Sequence, residues 1–241
     1  MKTSIAIPCA WHHIRYLDAA LSKIAGGTEL PDEVVIVISP VQRHQQLHGL
    51  NQLWHKFRRF FDLRIELVDH PLNVTDARDT LTKSLTGDVV LYHDADDTQH
   101  PQRVELVKRF FNEHDIVHLC HSYHTISEGQ AGKVKYDDIK VTPSHILYER
   151  FFVRGKMPKA FGHGPVRIHA GASCIRRDVL YKVGWVGLLP GVEDREFCLN
   201  VLKTFNKTIL IDAPLLNYNT GAERRLDIQA IENVCLASRV Q

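Results

Sequence analysis

A chain of 241 residues with 44% apolar and 24% charged residues has an ordinary globular make-up, enough for one large α/β domain or two small ones. A net charge of +2 is too small to make nucleic acid or an anionic membrane surface the main partner, and no apolar run is long enough to span a bilayer. The five cysteines, Cys9, Cys120, Cys174, Cys198 and Cys235, include no C-x-x-C pair, and the fifteen histidines no H-E-x-x-H, so neither a disulfide frame nor a zinc site is expected. The cysteines read as small buried residues of a reducing compartment. The apolar stretch before Pro8 is too short for a signal peptide, so the expected setting is the cytoplasm.

Residues 4–7 form a short strand that Pro8 is expected to stop. Over 12–24, Ile14, Leu17, Leu21 and Ile24 make a helical stripe that Gly26-Gly27 closes. A buried strand at 34–38 ends in Ser39-Pro40. Leu47, Leu50, Leu53, Trp54, Phe57 and Phe61 predict a helix from about 42 to 61; its Lys56-Phe-Arg-Arg-Phe60 cluster is a solvated face. A strand at 64–68 and a helix at 75–85 follow, and Gly87-Asp88 turns the chain into a strand at 89–92. Pro101 suits the first turn of a helix lined by Val104, Val107, Phe110 and Phe111, and 116–123 is again a strand. This β-α alternation implies a mostly parallel, three-layer α/β sheet.

The second half is less regular. Residues 133–165 lack periodicity and contain Gly155, Gly162 and Gly164, which suggests short strands or a mobile lid. Strand character resumes at 167–175. A short helix at 177–183 ends at Gly184, and a helix at 193–202, a strand at 208–211 and a terminal helix at 228–236 complete the pattern. No domain boundary stands out.

The most chemically loaded stretch is Val89-Val-Leu-Tyr-His-Asp-Ala-Asp-Asp97. Its apolar start reads as a strand buried on both faces, and Asp94, Asp96 and Asp97 fall at its carboxyl end, where open α/β sheets bind ligands. Three acids this close repel one another unless a cation or a set of donors neutralises them. Hard carboxylate oxygens suit Mg²⁺ or Mn²⁺, ions that usually share their coordination with substrate phosphates. The plain alternative is an acidic surface turn.

The order of motifs resembles the GT-A glycosyltransferases, family 2 above all. Ser4-Ile-Ala-Ile-Pro8 and Val34-Val-Ile-Val-Ile38 resemble its opening; Asn73-Val-Thr-Asp-Ala-Arg-Asp79 and Thr86-Gly-Asp88 through Asp97 resemble its A-R-N, G-D and DxD sequence. Ala170-Gly-Ala-Ser-Cys-Ile-Arg-Arg-Asp178 resembles the stretch before its catalytic helix, and Glu193-Asp194 its ED motif. The resemblance implies one GT-A-like domain over 1–241, with a nucleotide-binding half (1–124) and an acceptor-binding half (125–241). It further implies a nucleotide-diphospho-sugar donor, with a UDP-sugar as first choice, a hydroxyl acceptor, a divalent Mn²⁺ or Mg²⁺ ion and an inverting transfer.

Residue by residue, Pro8, Cys9 and Ala10 would receive the base, with Ser39 and Asn73 in the donor-binding set. Arg78 would lie beside the base or diphosphate, Asp94 on the ribose, and Asp96 on the metal, supported by Asp94 and Asp97. Gly171 and Ala172 would line the sugar pocket. Asp194 would be the general base, with Glu193 orienting the acceptor. Arg78 paired with Asp94 or Asp76, and Glu193-Asp194 as ordinary first-turn acids, are the structural alternatives.

The chain also departs from that pattern. Ser39-Pro40 stands where the family carries a base-recognising Asp, Asp79 replaces an Asn, and the Q-x-x-R-W type motif of processive members is absent. Arg224 and Arg225 are candidate diphosphate clamps. A sugar-1-phosphate nucleotidyltransferase would open with a glycine-rich basic loop, which Pro8-Cys-Ala-Trp-His-His13 is not. A non-catalytic nucleotide-sugar-binding module is the remaining alternative.

Overall fold

The computed structural model describes residues 1–40, 46–125, 132–149, 152, 169–185 and 193–219. In chain order the elements are β1 (Thr3–Ala10), α1 (Leu17–Ala25), β2 (Glu33–Ser39), α2 (Gln46–Phe57), β3 (Asp62–Leu67), α3 (Val74–Ser84), β4 (Val89–Tyr92), β5 (Thr98–Gln99), α4 (Arg103–Glu113), β6 (His118–Thr125), β7 (Val141–Thr142), α5 (Ser144–Tyr148), β8 (Ser173–Arg176), α6 (Arg177–Val183), α7 (Glu193–Phe205) and β9 (Thr208–Tyr218). One sheet carries the nine strands of the described residues in the order β3-β2-β1-β4-β8-β6-β9-β5, with β7 on β9. β1 to β4, β6 and β9 run one way, while β5, β7 and β8 run against them.

The strand sequences dictate the layers. Alternate residues of β1 and β2 face opposite sides of the sheet, and both sides are apolar. Ile5, Ile7, Val34, Ile36 and Ile38 pack with α1, α2 and α4 on one face. Ala6, Val35, Val37, Val90 and Tyr92 pack with α3, α6 and α7 on the other. No helix of the described residues is long and apolar enough to cross a membrane.

Several boundaries differ from the sequence expectation. β1 runs through Pro8 to Ala10, in register with β2 throughout (Pro8 against Val37), whereas its pairing with β4 ends at Ala6 opposite Tyr92. Ala6 O accepts from His93 N on the β4 side, so Pro8, two residues on, turns its missing N–H to that side beyond the end of the ladder. The stripe expected over 12–24 begins as a 3₁₀ helix (Trp11–Tyr16) before α1. Pro101 lies just outside α4, whose N-cap is Gln102. Strand character expected at 167–175 is confined to β8, after a 3₁₀ turn at Ala170–Ala172, and β9 extends to Tyr218. Within 133–165 the described part holds a 3₁₀ turn (Tyr136–Asp138), β7 and α5. The glycines at 155, 162 and 164, the helix expected at 228–236, and Arg224 and Arg225 lie outside the described residues.

Away from the strand ends that carry the acids, Glu33 ties β1, β2 and the turn before β4 together. Its buried carboxylate accepts from Ser4 Oγ, Thr86 N and Oγ1, and Gly87 N, and pairs with Arg64. Burial alone would raise this carboxyl, but the donors hold it below its ordinary value. Gly87 is required there, since a Cβ would stand 2.4 Å from Ser4 Oγ and 2.8 Å from Ser4 N.

Candidate active site

All four residues of β4 are fully buried, so its end is fixed within the sheet. Ala95 is itself buried, and turns the chain so that Asp94 and Asp96 are half-exposed while Asp97 is 1% exposed. Asp97 N donates to Asp94 O, and Asp97 Oδ1 accepts from Asn219 N at 2.8 Å, just past the end of β9. The acids at the end of β4 are thus tied to the end of β9, and the crevice between them lies at the strand ends.

α3 points Arg78 into this crevice. Asn73 caps the helix, accepting from Asp76 N at 2.9 Å, while Ala77, Arg78, Leu81 and Thr82 form its buried face. The Arg78 guanidinium donates to Asp194 Oδ1 at 2.7 Å and lies 3.5 Å from Asp94 Oδ1. Burial would lower its proton affinity, but the carboxylates of Asp194 and Asp94 more than offset this and hold it up. Its flat face lies 4.6 Å from the Trp185 ring, which stacks on Phe197 at 3.8 Å and donates from Nε1 to Tyr92 Oη at 2.7 Å. Arg78 therefore pairs with Asp94, as the structural alternative had it, and with Asp194, a residue 116 positions away.

Asp194 opens α7, and its second oxygen, Oδ2, accepts from Ala170 N at 3.0 Å. Each carboxylate oxygen still has lone-pair capacity. Glu193 is half-buried, with its Oε2 lacking a hydrogen-bond partner among the described residues.

His169 approaches Asp94 from the other side. Its Nε2 is 3.5 Å from Asp94 Oδ2, and its Nδ1 accepts from Gly171 N at 3.1 Å. Asp94, Asp97 and His169 present atoms within 4.8 Å of one another, the spacing of a metal site. Because Gly171 N–H points at Nδ1, however, the ring proton resides on Nε2, so the imidazole faces Asp94 as a donor and not as a metal ligand. Tyr218 and Tyr123, at 4.6 and 5.8 Å, fix the ring from the side.

Beneath the acids, Arg103 is fully buried and donates to Tyr92 O, Gly171 O and His121 Nε2 at 2.7, 2.6 and 3.0 Å. It bolts the end of β4 to the turn that carries Ala170. Burial, with Arg103 second, holds His93 down at about 3 and His121 well below its ordinary value, so both rings are neutral.

The remaining residues expected in the site divide into two groups. Pro8 and Ala10 are half-exposed at the end of β1, and Cys9 is buried, its thiol pushed up first by burial and then by the charge of Asp96. Ser39 is committed elsewhere: Oγ donates to His70 O and accepts from Leu72 N, both at 2.7 Å. Asn73 spends its amide on the α3 cap and on Asp76. Gly171 and Ala172 are buried, and a Cβ on Gly171 would meet His169 and Leu216, so it is small to let the imidazole pack. Sequence reasoning missed His169, Trp185 and Arg103. Only His169, adjoining the Ala170-Gly-Ala motif, carried any signal.

The family model described as Glycosyl transferase family 2 matches residues 4–184. A search of curated proteins gives no match. Among solved structures, S. aureus TarS 1-349 in complex with UDP-GlcNAc superposes with a TM-score of 0.68 at 16% identity, over 92% of this chain and 59% of that one. S. aureus TarS 1-349 gives 0.67 at 17% identity, over 91% and 60%. The chain spans about three-fifths of these TarS chains, and at such identity the likeness is one of fold.

Proposed function

The chain belongs to glycosyl transferase family 2, and on that premise we propose that it moves a sugar from a nucleotide-diphospho-sugar to an acceptor hydroxyl, with inversion and with a divalent cation. The observation that carries this is a single buried guanidinium, Arg78, shared by an acid of the strand-end cluster and an acid at the start of a helix. One carboxylate group thereby serves the donor while the other serves the acceptor, at a fixed separation. UDP-GlcNAc in the TarS complex supports a UDP-sugar as donor class.

In this reading Asp194 takes the acceptor proton. Its oxygens are aimed by Arg78 and Ala170 N, and the lone pairs they leave are open to a hydroxyl. Glu193, beside it, contacts the acceptor. Asp94, held by Arg78 and His169, faces the ribose, and Pro8 and Ala10 offer backbone to the base. Ser39 fixes the 69–72 loop behind them, which explains a hydroxyl where a base-recognising acid is expected.

The carboxylates fit Mg²⁺ or Mn²⁺: they are hard ligands, and the imidazole nearby is turned as a donor. Asp96 would hold the ion, with Asp94 and Asp97 beside it, and the bound ion would neutralise charge on the departing diphosphate. The test is transfer and donor hydrolysis with Mn²⁺ across a panel of nucleotide sugars. Turnover of one donor class that stops in chelator supports the reading; binding without turnover of any donor would make the chain a binding module.

A further inference from the structure

A second group of ligating side chains lies inside the core. β6 brings His118 and Cys120 to the same face of the sheet, β8 places Ser173 beside them, and α7 delivers Cys198 from above. All four residues are 3% exposed or less. His118 Nε2 is 3.5 Å from Cys120 Sγ, 3.9 Å from Cys198 Sγ and 2.8 Å from Ser173 Oγ. The His118, Cys120 and Cys198 ligand atoms lie within 4.8 Å of one another. The ligands are neither adjacent nor in any zinc-type spacing along the chain, so only the fold brings them together.

We propose that His118 Nε2, Cys120 Sγ and Cys198 Sγ form a structural site for a zinc-class divalent cation, with Ser173 Oγ exchanging its 2.8 Å hydrogen bond on Nε2 for the fourth position. Around tetrahedral zinc, bonds of about 2.0 Å to nitrogen and 2.3 Å to sulfur set N and S about 3.5 Å apart, the distance seen to Cys120 Sγ and about 0.4 Å less than that to Cys198 Sγ. The other imidazole nitrogen, Nδ1, faces Thr208 Oγ1 at 3.3 Å, an outer partner that fixes ring orientation as such ligands require. Binding replaces two thiol protons with one dication and releases both protons, leaving a neutral unit that a buried site tolerates. A monovalent soft ion would leave a buried negative charge, which favours a dication. The site would pin α7 one turn beyond Asp194 and so fix where that carboxylate points.

The test refolds the full chain with equimolar zinc, removes loose metal by gel filtration and measures metal content. A parallel sample with cobalt(II) is read by absorption. We expect about one zinc per chain, and a thiolate-to-cobalt charge-transfer band with strong tetrahedral d–d absorption. Cys198→Ser should weaken metal retention at least tenfold, whereas Cys174→Ser, on the opposite face of the sheet, should keep it. A metal-free chain, or cobalt bound without a charge-transfer band, overturns the proposal; the latter is what oxygen ligands at Asp96 would give. Should Cys198→Ser not fold, zinc-edge X-ray absorption on the unmodified chain decides. Two sulfurs at about 2.3 Å support the site, and an oxygen-only shell refutes it.

Discussion

Asp194→Asn is the sharpest test of the site, and its cost is readable from the hydrogen bonds. Oδ1 accepts from Arg78 Nη1 at 2.7 Å and Oδ2 from Ala170 N at 3.0 Å. An amide has one oxygen, so whichever way Asn is turned its NH₂ confronts one of these donors. If the oxygen faces Arg78, an ion pair becomes a bond between a cation and a neutral acceptor, a loss of about 1 kcal/mol, and Ala170 N is left facing a donor, about 1–3 kcal/mol more. Arg78 is 2% exposed and retains only Asp94 at 3.5 Å, while Asp194 is 23% exposed, which moderates the loss. The total is about 3 kcal/mol, or ~6–12 °C of melting temperature in a chain of this size. Transfer should fall about 10²–10⁴-fold from loss of the base, with donor affinity near wild type. Scanning calorimetry, donor titration and transfer kinetics on the same sample separate these effects. In an Arg78→Met background, Asp194→Asn should cost about 2 kcal/mol less, since the amide oxygen can then face Ala170 N with no cation left to satisfy. If Asp194 has only this structural role and takes no proton, Asn lowers the melting temperature but leaves transfer unimpaired in the folded fraction. A melting temperature within about 2 °C of wild type together with unimpaired transfer would refute the reasoning.

Asp96→Asn should abolish the dependence of nucleoside diphosphate binding on Mn²⁺ and weaken it strongly in calorimetry; unchanged affinity would remove Asp96 from the metal site. Acid should destabilise the fold early. His93, held at about 3, and His121, held well below its usual value, stay neutral when folded but take up protons when unfolded. Stability is thus retained above about pH 6.5 and lost as pH falls toward 3, by at most ~3 kcal/mol per pH unit, and a denaturation midpoint that is flat from pH 7 to 5 would contradict this. Trp185→Leu should cost about 3 kcal/mol through the cavity left beside Phe197 and the hydrogen bond lost to the Tyr92 hydroxyl, measurable by guanidinium denaturation. Gly87→Ala should lower the melting temperature markedly, because its Cβ meets Ser4 backbone at 2.8 Å; a silent substitution would show that the turn yields.

Much of this architecture was legible in the amino-acid order. Continuous apolar runs such as Val34 to Ile38 signal strands covered on both faces, periodic stripes mark the helices, and acids directly after Tyr92 and at Glu193-Asp194 mark where charge gathers. Those signals are local: periodicity reports that a side chain is buried, and a motif reports which chemistry is present. Neither reports the partner. The insertion of β8, antiparallel, between β4 and β6 came only from the fold, because pairing is decided by which apolar surfaces meet across the sheet. So did Arg78 between two acids, the ring proton of His169 set by Gly171 N–H, and Arg103 gripping two carbonyls from distant turns. The buried set of His118, Cys120, Ser173 and Cys198 shows the same division. Each reads as an ordinary core residue in the chain, and only the crossing of α7 over β6 and β8 brings their ligand atoms to one point.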